Sequence, residues 1–467
     1  MEKTYELKQF RQQVYQNFNK RADVLMDLVD ALSSNTNAHT VVELSLNPNF
    51  RRDYSSMYKA IASCQIETSR LAKLAGPHLP QPQKQPFWLF GVDVTPQERA
   101  YARTLEDREF VYQANPIKGK KPIVIGHKYS EVACLPEKGE GRTSPWVVPL
   151  ANRRVKSDED KEMVGAEQIA ALLCDERMPF HGELCVEIGD TSYSKAEYLV
   201  ANRSHSNLVT IARVRSNRAF YRQPEEGKGS SSTAGHPTWY GQPFKLPDPS
   251  TWHTPDETLT TTHVSRRGRQ YRVEIKAWRN MLMRGKQKPY PIPMHKYPFT
   301  LIQVCLYNDK GKLAFRRPLW LIVIGIRRHE LGLSDSYPAY RQRFDIEHFF
   351  RFGKQKLLID KFQTPETKHE ETWWQLCNLA YLQLWVARTC ARCLPRPWEH
   401  SLPAVKSKNI SPSFVQRDFS RIIRQLGTPA SWPKPRGYSP GRPKGLRLAP
   451  RQRQSVVRKT QTQPKSA

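Results

Sequence analysis

The stretch FWLFGVDVT (residues 87–95) is a short apolar run that lies between Pro86 and Pro96. A run of this length and composition predicts a strand that is buried on both faces of a sheet. Asp93 interrupts the run, and a carboxylate inside an apolar strand is unfavourable unless it is paired or binds a metal ion. Asp93 is therefore a candidate site residue, and a paired structural carboxylate is the alternative.

A second buried strand that ends in an acid is predicted at ELCVEIGD (183–190), where Asp190 is the last residue. An amphipathic helix is predicted before it at 160–178, and a helix and another strand after it, at SKAEYLVANR and NLVTIARVR. Strands that then alternate with helices predict an α/β sheet with mixed strand directions. Asp190 can serve a site or cap the next turn, as strand-end aspartates often do.

The stretch YRQRFDIEHFFRFGK (340–354) is predicted to form one helix. In a helix that advances about 100° per residue, Tyr340, Arg343, Glu347 and Lys354 fall along one stripe. A solvated charged face is the simple interpretation of such a stripe. The other interpretation is that its single acid belongs to a site.

Three carboxylates on elements of one α/β domain, those of Asp93, Asp190 and Glu347, form a set that can hold two divalent cations. Hard oxygen ligands suit Mg²⁺, and two such ions can activate an attacking oxygen and stabilise the leaving oxygen in phosphodiester cleavage. Two nearby acids fit less well, because Glu187 is expected on the opposite face of its strand and Asp345 on another side of the helix.

Lys and Arg residues number 74 against 44 Asp and Glu, which gives a formal net charge of +30. This imbalance predicts attraction to polyanions, of which nucleic acid is the commonest for a soluble protein. The chain has no apolar run of about 18 residues, so we expect no membrane partner. The first residues, MEKTYELKQFRQQ, contain no apolar signal-peptide core, which favours a cytoplasmic location. Eight scattered cysteines agree with a reducing compartment.

Changes in composition along the chain predict five segments. An N-terminal helical domain (1–80) precedes an α/β domain in two parts (81–215 and 333–394), which a mostly β insertion (216–332) interrupts. A basic, proline-rich tail (395–467) follows and carries sixteen Lys/Arg against two acidic residues. Such a composition predicts disorder in isolation and affinity for phosphates.

The pattern of acids, β insertion and helix resembles the DDE transposases of bacterial insertion sequences, and among them the subgroup with a Y-x2-R-x3-E-x6-K signature. The chain meets that signature without a gap at Tyr340, Arg343, Glu347 and Lys354. The resemblance covers residues 87–390. It implies that the α/β domain is an RNase H-like catalytic domain and, more loosely, that residues 1–80 bind DNA.

The resemblance implies cut-and-paste transposition by phosphodiester hydrolysis and strand transfer, through a hairpin intermediate. Asp93, Asp190 and Glu347 would be the catalytic, metal-binding residues, with two Mg²⁺ ions that Mn²⁺ can replace. The implied partners are double-stranded DNA, as terminal inverted repeats and as target, and a second copy of the chain in a nucleoid-associated homodimer. The alternatives are a catalytically inactive, transposase-derived DNA-binding protein and an RNase H-like nuclease that only hydrolyses.

Residues for DNA binding come from two sources. By resemblance, Tyr340, Arg343 and Lys354 grip phosphates near the cleaved end, and Phe344 stands where some relatives place a tryptophan for a flipped base. From the sequence itself, the segment ARVRSNRAFYR (212–222) leaves a strand close to the acids, with a solvated basic edge as the alternative; its candidate contacts are Arg213, Arg215, Arg218 and Arg222. The resemblance also implies that an aromatic residue of the insertion assists hairpin formation. The candidates are Trp239, Trp252 and Trp278, with a position in the core as the alternative for each.

Overall fold

The computed structural model describes residues 2–113, 122–139, 144–224, 239–265, 268–285, 291–392, 398, 401, 410–435, 441, 443–447 and 449–458. The helices are α1 (Glu2–Gln16), α2 (Ala22–Ser33), α3 (Tyr54–Ser63), α4 (Ser69–Ala75), α5 (Lys161–Leu173), α6 (Ala196–Arg203), α7 (Leu333–Arg341), α8 (Phe344–Lys356), α9 (Thr367–Ala387) and α10 (Pro412–Leu426). The strands are β1 (Trp88–Glu98), β2 (Glu109–Tyr112), β3 (Ile123–Cys134), β4 (Val148–Val155), β5 (Cys185–Gly189), β6 (Leu208–Arg213), β7 (Ala219–Tyr221), β8 (Pro243–Lys245), β9 (Glu257–Val264), β10 (Gln270–Met281), β11 (Phe299–Tyr307) and β12 (Leu319–Gly325).

One large mixed sheet runs through the described part of the chain. Its strand order is β2–β3–β1–β5–β6–β12–β11–β10–β9, and β4 also pairs with β3. β1, β5 and β6 are parallel, because α5 and α6 carry the chain back across the sheet between them. The pairs β1–β3, β3–β4 and β6–β12 are antiparallel. The predicted α/β sheet with mixed strand directions is confirmed.

Helices pack on both faces of this sheet. α5 lies close to one face, where Gly165 approaches the side chain of Val92. α8 lies on the other face, where the side chain of Ile346 covers Gly91. Because side chains alternate along a strand, Asp93 points to the same face as Gly91, toward α8. The fold therefore places the acid of β1 beneath the helix that carries Glu347.

The N-terminal helices pack against α9 and share its hydrophobic core. Every residue of α2 from Val24 to Ser33 is buried, so this part of α2 has no face open to a ligand. A buried ion pair fixes α1 to α2, with both guanidinium nitrogens Nη1 and Nη2 of Arg11 2.8 Å from the carboxylate oxygens of Asp30. Gln383 of α9 donates to the same carboxylate at 3.1 Å. Residues 1–80 are helical as expected, and their role in DNA binding stays a prediction.

Helix α9 is the centre of this helical layer, and its residues from Thr372 to Ala387 are buried. The buried carboxylate of Glu370 accepts hydrogen bonds from Arg99, His127 and Tyr129 at 2.5, 2.8 and 2.9 Å. These bonds offset the desolvation of the charged group. Although α9 is long and apolar, no helix within the described ranges is long and apolar enough to cross a membrane.

The described residues of segment 216–332 include six strands, β7 to β12, and four of these continue the large sheet. β12 pairs with β6, and β11, β10 and β9 follow in antiparallel order. β7 and β8 form a separate two-stranded sheet. The inserted strands are therefore hydrogen-bonded to the α/β domain rather than joined to it only by the chain.

The expectation that the whole tail is disordered is wrong for residues 410–432. Helix α10 contacts α2, α8 and α9, and Val415, Phe419 and Ile423 of its apolar stripe are buried. Gln416 donates to the Leu32 carbonyl at 2.9 Å. The four-residue spacing of these apolar positions is a helix signal, which the prolines and charges of the surrounding segment obscured.

Candidate active site

Asp93 and Asp190 lie side by side on neighbouring parallel strands. β1 and β5 pair Gly91 with Ile188, so the residues two further along each chain, Asp93 and Asp190, are level with each other. Level residues on adjacent strands project from the same face of a sheet. The sheet thus brings together two acids that the sequence separates by most of the α/β domain.

Strand β6 brings Arg213 to the same place. β5 and β6 are parallel neighbours, and the residues that follow their pair Gly189–Ala212 are Asp190 and Arg213. The side chain of Arg213 is exposed. Of the four arginines predicted for segment 212–222, this one therefore lies in line with both acids.

Asp190 also has the capping role that was the alternative for it. Its side chain ends β5 and accepts hydrogen bonds at Oδ1 from the Ser192 amide at 2.7 Å and the Ser192 hydroxyl at 2.6 Å. These bonds begin a 3₁₀ turn at Thr191–Ser194. Capping fixes the direction of the carboxylate, so the structural role and a site role are compatible here.

The single helix predicted for residues 340–354 is wrong, because α7 ends at Arg341 and α8 begins at Phe344. At the junction each amide bonds to the carbonyl three residues earlier: Arg343 to Tyr340 at 3.1 Å and Asp345 to Gln342 at 2.8 Å. Bonds of this kind tighten the chain into a 3₁₀ turn. The tight turn places Arg343 between the two helices.

The split also changes which residues face solvent. Tyr340 is only 4% exposed and the Arg343 side chain 11%, so the simple solvated face is wrong for these two. The exposed side of α8 instead carries Phe344, which is 50% exposed, together with Glu347, Arg351 and Gln355.

Arg343 connects the acid of α8 to the acid of β1. Its Nη2 atom lies 2.8 Å from Oε1 of Glu347, and its Nη1 atom lies 3.8 Å from Oδ2 of Asp93. The guanidinium carbon lies 5.0 Å from the centre of the Phe344 ring. Burial raises the pKa of Tyr340, and the charge of Arg343 opposes that rise. Arg343 therefore lies between the carboxylates of Asp93 and Glu347 and is close to both.

The carboxylates repel one another at Asp93. The pKa of the Asp93 carboxyl is raised to about 6, mainly by burial, with Arg343 opposing the rise and the charges of Asp190 and Glu347 adding to it. Three carboxylates supply hard oxygen donors of negative charge, which fit a divalent cation in type and in sign. Among the described residues, no three acidic, histidine or cysteine side chains are close enough as they stand to share one ion. The guanidinium of Arg343 lies between two of the three acids.

Lys354 reaches back to the same strand. Its ammonium donates to the Thr95 hydroxyl at 2.9 Å and to the Pro96 carbonyl at 3.4 Å. Burial lowers the pKa of Lys354, and the charge of Asp360 opposes that change. Since Thr95 lies two residues beyond Asp93 on β1, Lys354 supplies a cation on the same face of the sheet.

The other arginines of segment 212–222 differ in their contacts. Arg215 is exposed. Arg218 donates to the backbone carbonyl of Ser194 at 3.3 Å, which holds the turn that Asp190 begins. Arg222 forms a two-pronged ion pair with Asp256 at 2.9 and 3.1 Å. Arg218 and Arg222 thus have partners inside the protein, and DNA contact stays a prediction for all four.

The three tryptophans of the insertion are not equivalent. Trp278 is 1% exposed and donates to the His253 carbonyl at 2.7 Å, as a core residue does. Trp252 is partly buried and packs parallel to the Phe244 ring at 6.1 Å. Trp239 is 42% exposed and stacks on His295 at 4.2 Å. Of these three, Trp239 is therefore the one whose ring is accessible to a ligand.

Sequence analysis missed two residues beside the site. Gly91 allows α8 to approach β1. Because Gly91 lies two residues before Asp93, the spacing could have indicated that both residues face the same helix. Glu131 lies opposite Asp93 in the backbone pairing of β3 with β1. Burial raises the pKa of Glu131 to about 8, and its carboxylate accepts a hydrogen bond from Asn152 at 2.7 Å. Its position depends on non-local strand pairing, for which the sequence gives no signal.

Comparison with known families gives a match over the first part of the chain. The profile described as "DDE superfamily endonuclease" matches residues 13–285, which is more than half of the chain. The matched region includes Asp93, Asp190 and Arg213 and ends before Glu347. No curated protein matches the sequence.

Proposed function

The chain belongs to the DDE superfamily endonucleases, and on that premise we propose that it is a DNA transposase of the insertion-sequence type, which cuts an element from DNA and joins it to a target. Family membership implies phosphodiester hydrolysis on a DNA substrate. The single observation that carries the finer proposal is the alignment of Asp93 with Asp190, with Glu347 linked to Asp93 through Arg343.

The proposed catalytic domain is RNase H-like and consists of β4, β3, β1, β5 and β6 with their flanking helices. Asp93 lies on β1 and Asp190 follows directly after β5. The third acid comes from α8, which packs on the same face. The contact of Ile346 with Gly91 supports this position of the third acid, because it holds α8 directly above β1.

Asp93, Asp190 and Glu347 would hold two Mg²⁺ ions, for which Mn²⁺ can substitute. When bound, such ions supply an activated water molecule and stabilise the charge on the leaving oxygen. The carboxylates must be ionised to act as ligands, and Asp93, with its pKa raised to about 6, is ionised above that pH.

The cations around the acids are proposed to hold the DNA backbone. Arg343 can bind a phosphate with two parallel hydrogen bonds, whereas Lys354 acts as a point charge and Tyr340 as a hydroxyl donor. Arg213 at the end of β6 and Arg215 just beyond it extend this cationic edge. Phe344 is half exposed beside Arg343 and can stack on a base.

The later steps are proposed by analogy with relatives of the family. The 3′-hydroxyl freed at each element end attacks the opposite strand to form a hairpin, which is opened before transfer to target DNA. A homodimer would pair the two ends at their terminal inverted repeats. The exposed Trp239 ring supports a stacking role for the insertion at the hairpin.

The proposal is tested by incubating the full-length protein and Mg²⁺ with linear DNA that carries the flanks of its own gene. Denaturing gels should show cleavage at the element ends and hairpin-ended products. Glu347→Gln should abolish cleavage but keep DNA binding, because it removes a metal ligand and no phosphate contact. Cleavage without hairpins or joined products would indicate a hydrolytic nuclease. Binding without cleavage by the unmodified protein would indicate a DNA-binding protein.

A further inference from the structure

Arg343 is held in its position by the chain around it rather than by a loose surface contact. Its amide bonds to the Tyr340 carbonyl at the α7–α8 junction, and its side chain is only 11% exposed. The guanidinium is placed against Glu347 at 2.8 Å and toward Asp93 at 3.8 Å. Its Nε atom is buried and forms no hydrogen bond within the described residues.

A guanidinium and a divalent ion compete for the same two carboxylate groups here. Oε1 of Glu347 accepts a hydrogen bond from Nη2 of Arg343 at 2.8 Å, and Oδ2 of Asp93 lies 3.8 Å from Nη1. Two cations cannot share these oxygens at coordination distance without strong repulsion. Whichever cation is bound must therefore leave before the other can use both carboxylates.

Building on the function proposed above, we propose that Arg343 and the divalent ions exclude each other at Asp93 and Glu347. In the free protein Arg343 is paired with the Glu347 carboxylate, which is therefore not available to a metal ion. In the DNA complex a backbone phosphate takes the guanidinium and leaves both carboxylates to the ions. Arg343 is thus a positioning residue that makes metal binding depend on DNA.

A phosphate is the appropriate ligand to release Arg343. Guanidinium groups bind phosphate and carboxylate with the same two-pronged geometry, so the exchange needs no new chemistry. Glu347 is 44% exposed at its side chain and Phe344 is 50% exposed, so a DNA strand can approach the pair. Since coupling between two ligands is reciprocal, bound metal should also strengthen DNA binding.

The test is Mn²⁺ binding to the full-length free protein, followed by the loss of the electron paramagnetic resonance signal of free Mn²⁺. Arg343→Gln should bind Mn²⁺ more tightly by about tenfold, within the range typical of coupled sites. The matched control is Arg351→Gln, which removes the same charge from the same helix; Arg351 is exposed and forms no ion pair within the described residues. Its affinity should change less than about twofold.

DNA provides the second arm of the test. A short duplex of the element end should increase Mn²⁺ affinity of the unmodified protein and should have little effect on Arg343→Gln, in which the block is already absent. Arg343→Lys keeps the charge but cannot bridge two carboxylates, so its Mn²⁺ affinity should be intermediate. Circular dichroism establishes that each variant is folded.

The outcomes separate this inference from the proposed function. Equal Mn²⁺ affinities for the Arg343→Gln and Arg351→Gln variants would overturn the exclusion while leaving the metal site intact. If the unmodified protein binds no Mn²⁺ with or without DNA, or if Asp93→Asn binds it equally well, the metal-dependent function itself is wrong.

Discussion

The side chain of Ile346 occupies the space directly above the Cα atom of Gly91, so a methyl group added at Gly91 would overlap Cδ1 of Ile346. Ile346 precedes Glu347 in α8, and Gly91 lies two residues before Asp93 in β1. This contact therefore sets the separation of the helix-borne acid from the strand-borne acid.

Gly91→Ala is expected to displace α8 from β1. Overpacking of this kind destabilises proteins by about 1–3 kcal/mol, and a displacement of about 1 Å at a reacting centre can lower the rate by about 100-fold. Urea denaturation and DNA cleavage assays measure the two effects. The double variant Gly91→Ala/Ile346→Ala restores the space and should recover part of the activity. A single variant that cuts at the normal rate would contradict this role of the glycine.

Asp93→Asn is expected to stabilise the metal-free protein at neutral pH. The Asp93 carboxyl has a pKa of about 6 when folded, against an ordinary value of 3.8, so the folded state binds the proton more tightly. The resulting penalty is absent below pH 3.8, grows as the pH rises to about 6, and is complete above it. The upper limit of this penalty is about 3 kcal/mol. The actual penalty is smaller, because the Asp93 side chain is 21% exposed and solvent screens its charge.

Urea denaturation at about pH 7.5 and about pH 4 checks this sign. The stabilising effect of Asp93→Asn should be clear at the higher pH and vanish at the lower one. The experiment includes a metal chelator, since bound ions would favour the ionised carboxylate. An effect of the same size at both pH values would show that the carboxyl pKa is not raised.

Arg213→Gln and Arg222→Gln should differ in how salt affects DNA binding. Arg213 is exposed and level with Asp190, so its loss should reduce the slope of log affinity against log salt by about 1, the value for one phosphate contact. Arg222 already pairs with Asp256, so its slope should stay unchanged. Fluorescence anisotropy titrations at several KCl concentrations measure both slopes. Equal slopes for the two variants would show that segment 212–222 does not bind through Arg213.

Phe419→Ala is expected to lower the free energy of unfolding by about 3–5 kcal/mol, because Phe419 is fully buried between α10 and its neighbouring helices. Trp432→Ala is the control from the same tail. Trp432 is 80% exposed and contacts Arg51 at 5.1 Å, so its loss should have an effect of about 1 kcal/mol or less. Similar values for the two variants would indicate that α10 is not part of the folded core.

Local patterns were sufficient to predict some features of the site. The apolar runs around Asp93 and Asp190 predicted their strands correctly, because buried parallel strands need continuous apolar sequence. The register that makes the two acids level was not predictable, since strand pairing joins residues far apart in sequence. The break between Tyr340 and Phe344 was missed because both sides have helical periodicity. The contact of α10 with α2 was missed because it joins the two ends of the chain.

The pairing of Leu321 with Arg213 joins the inserted strands through backbone hydrogen bonds to the strand beside Asp190. β12 is bonded to β6 on one side and to β11 on the other, so no hinge separates the outer strands from the acids. A duplex that twists β9 or β10 would pass that twist through backbone hydrogen bonds to Arg213.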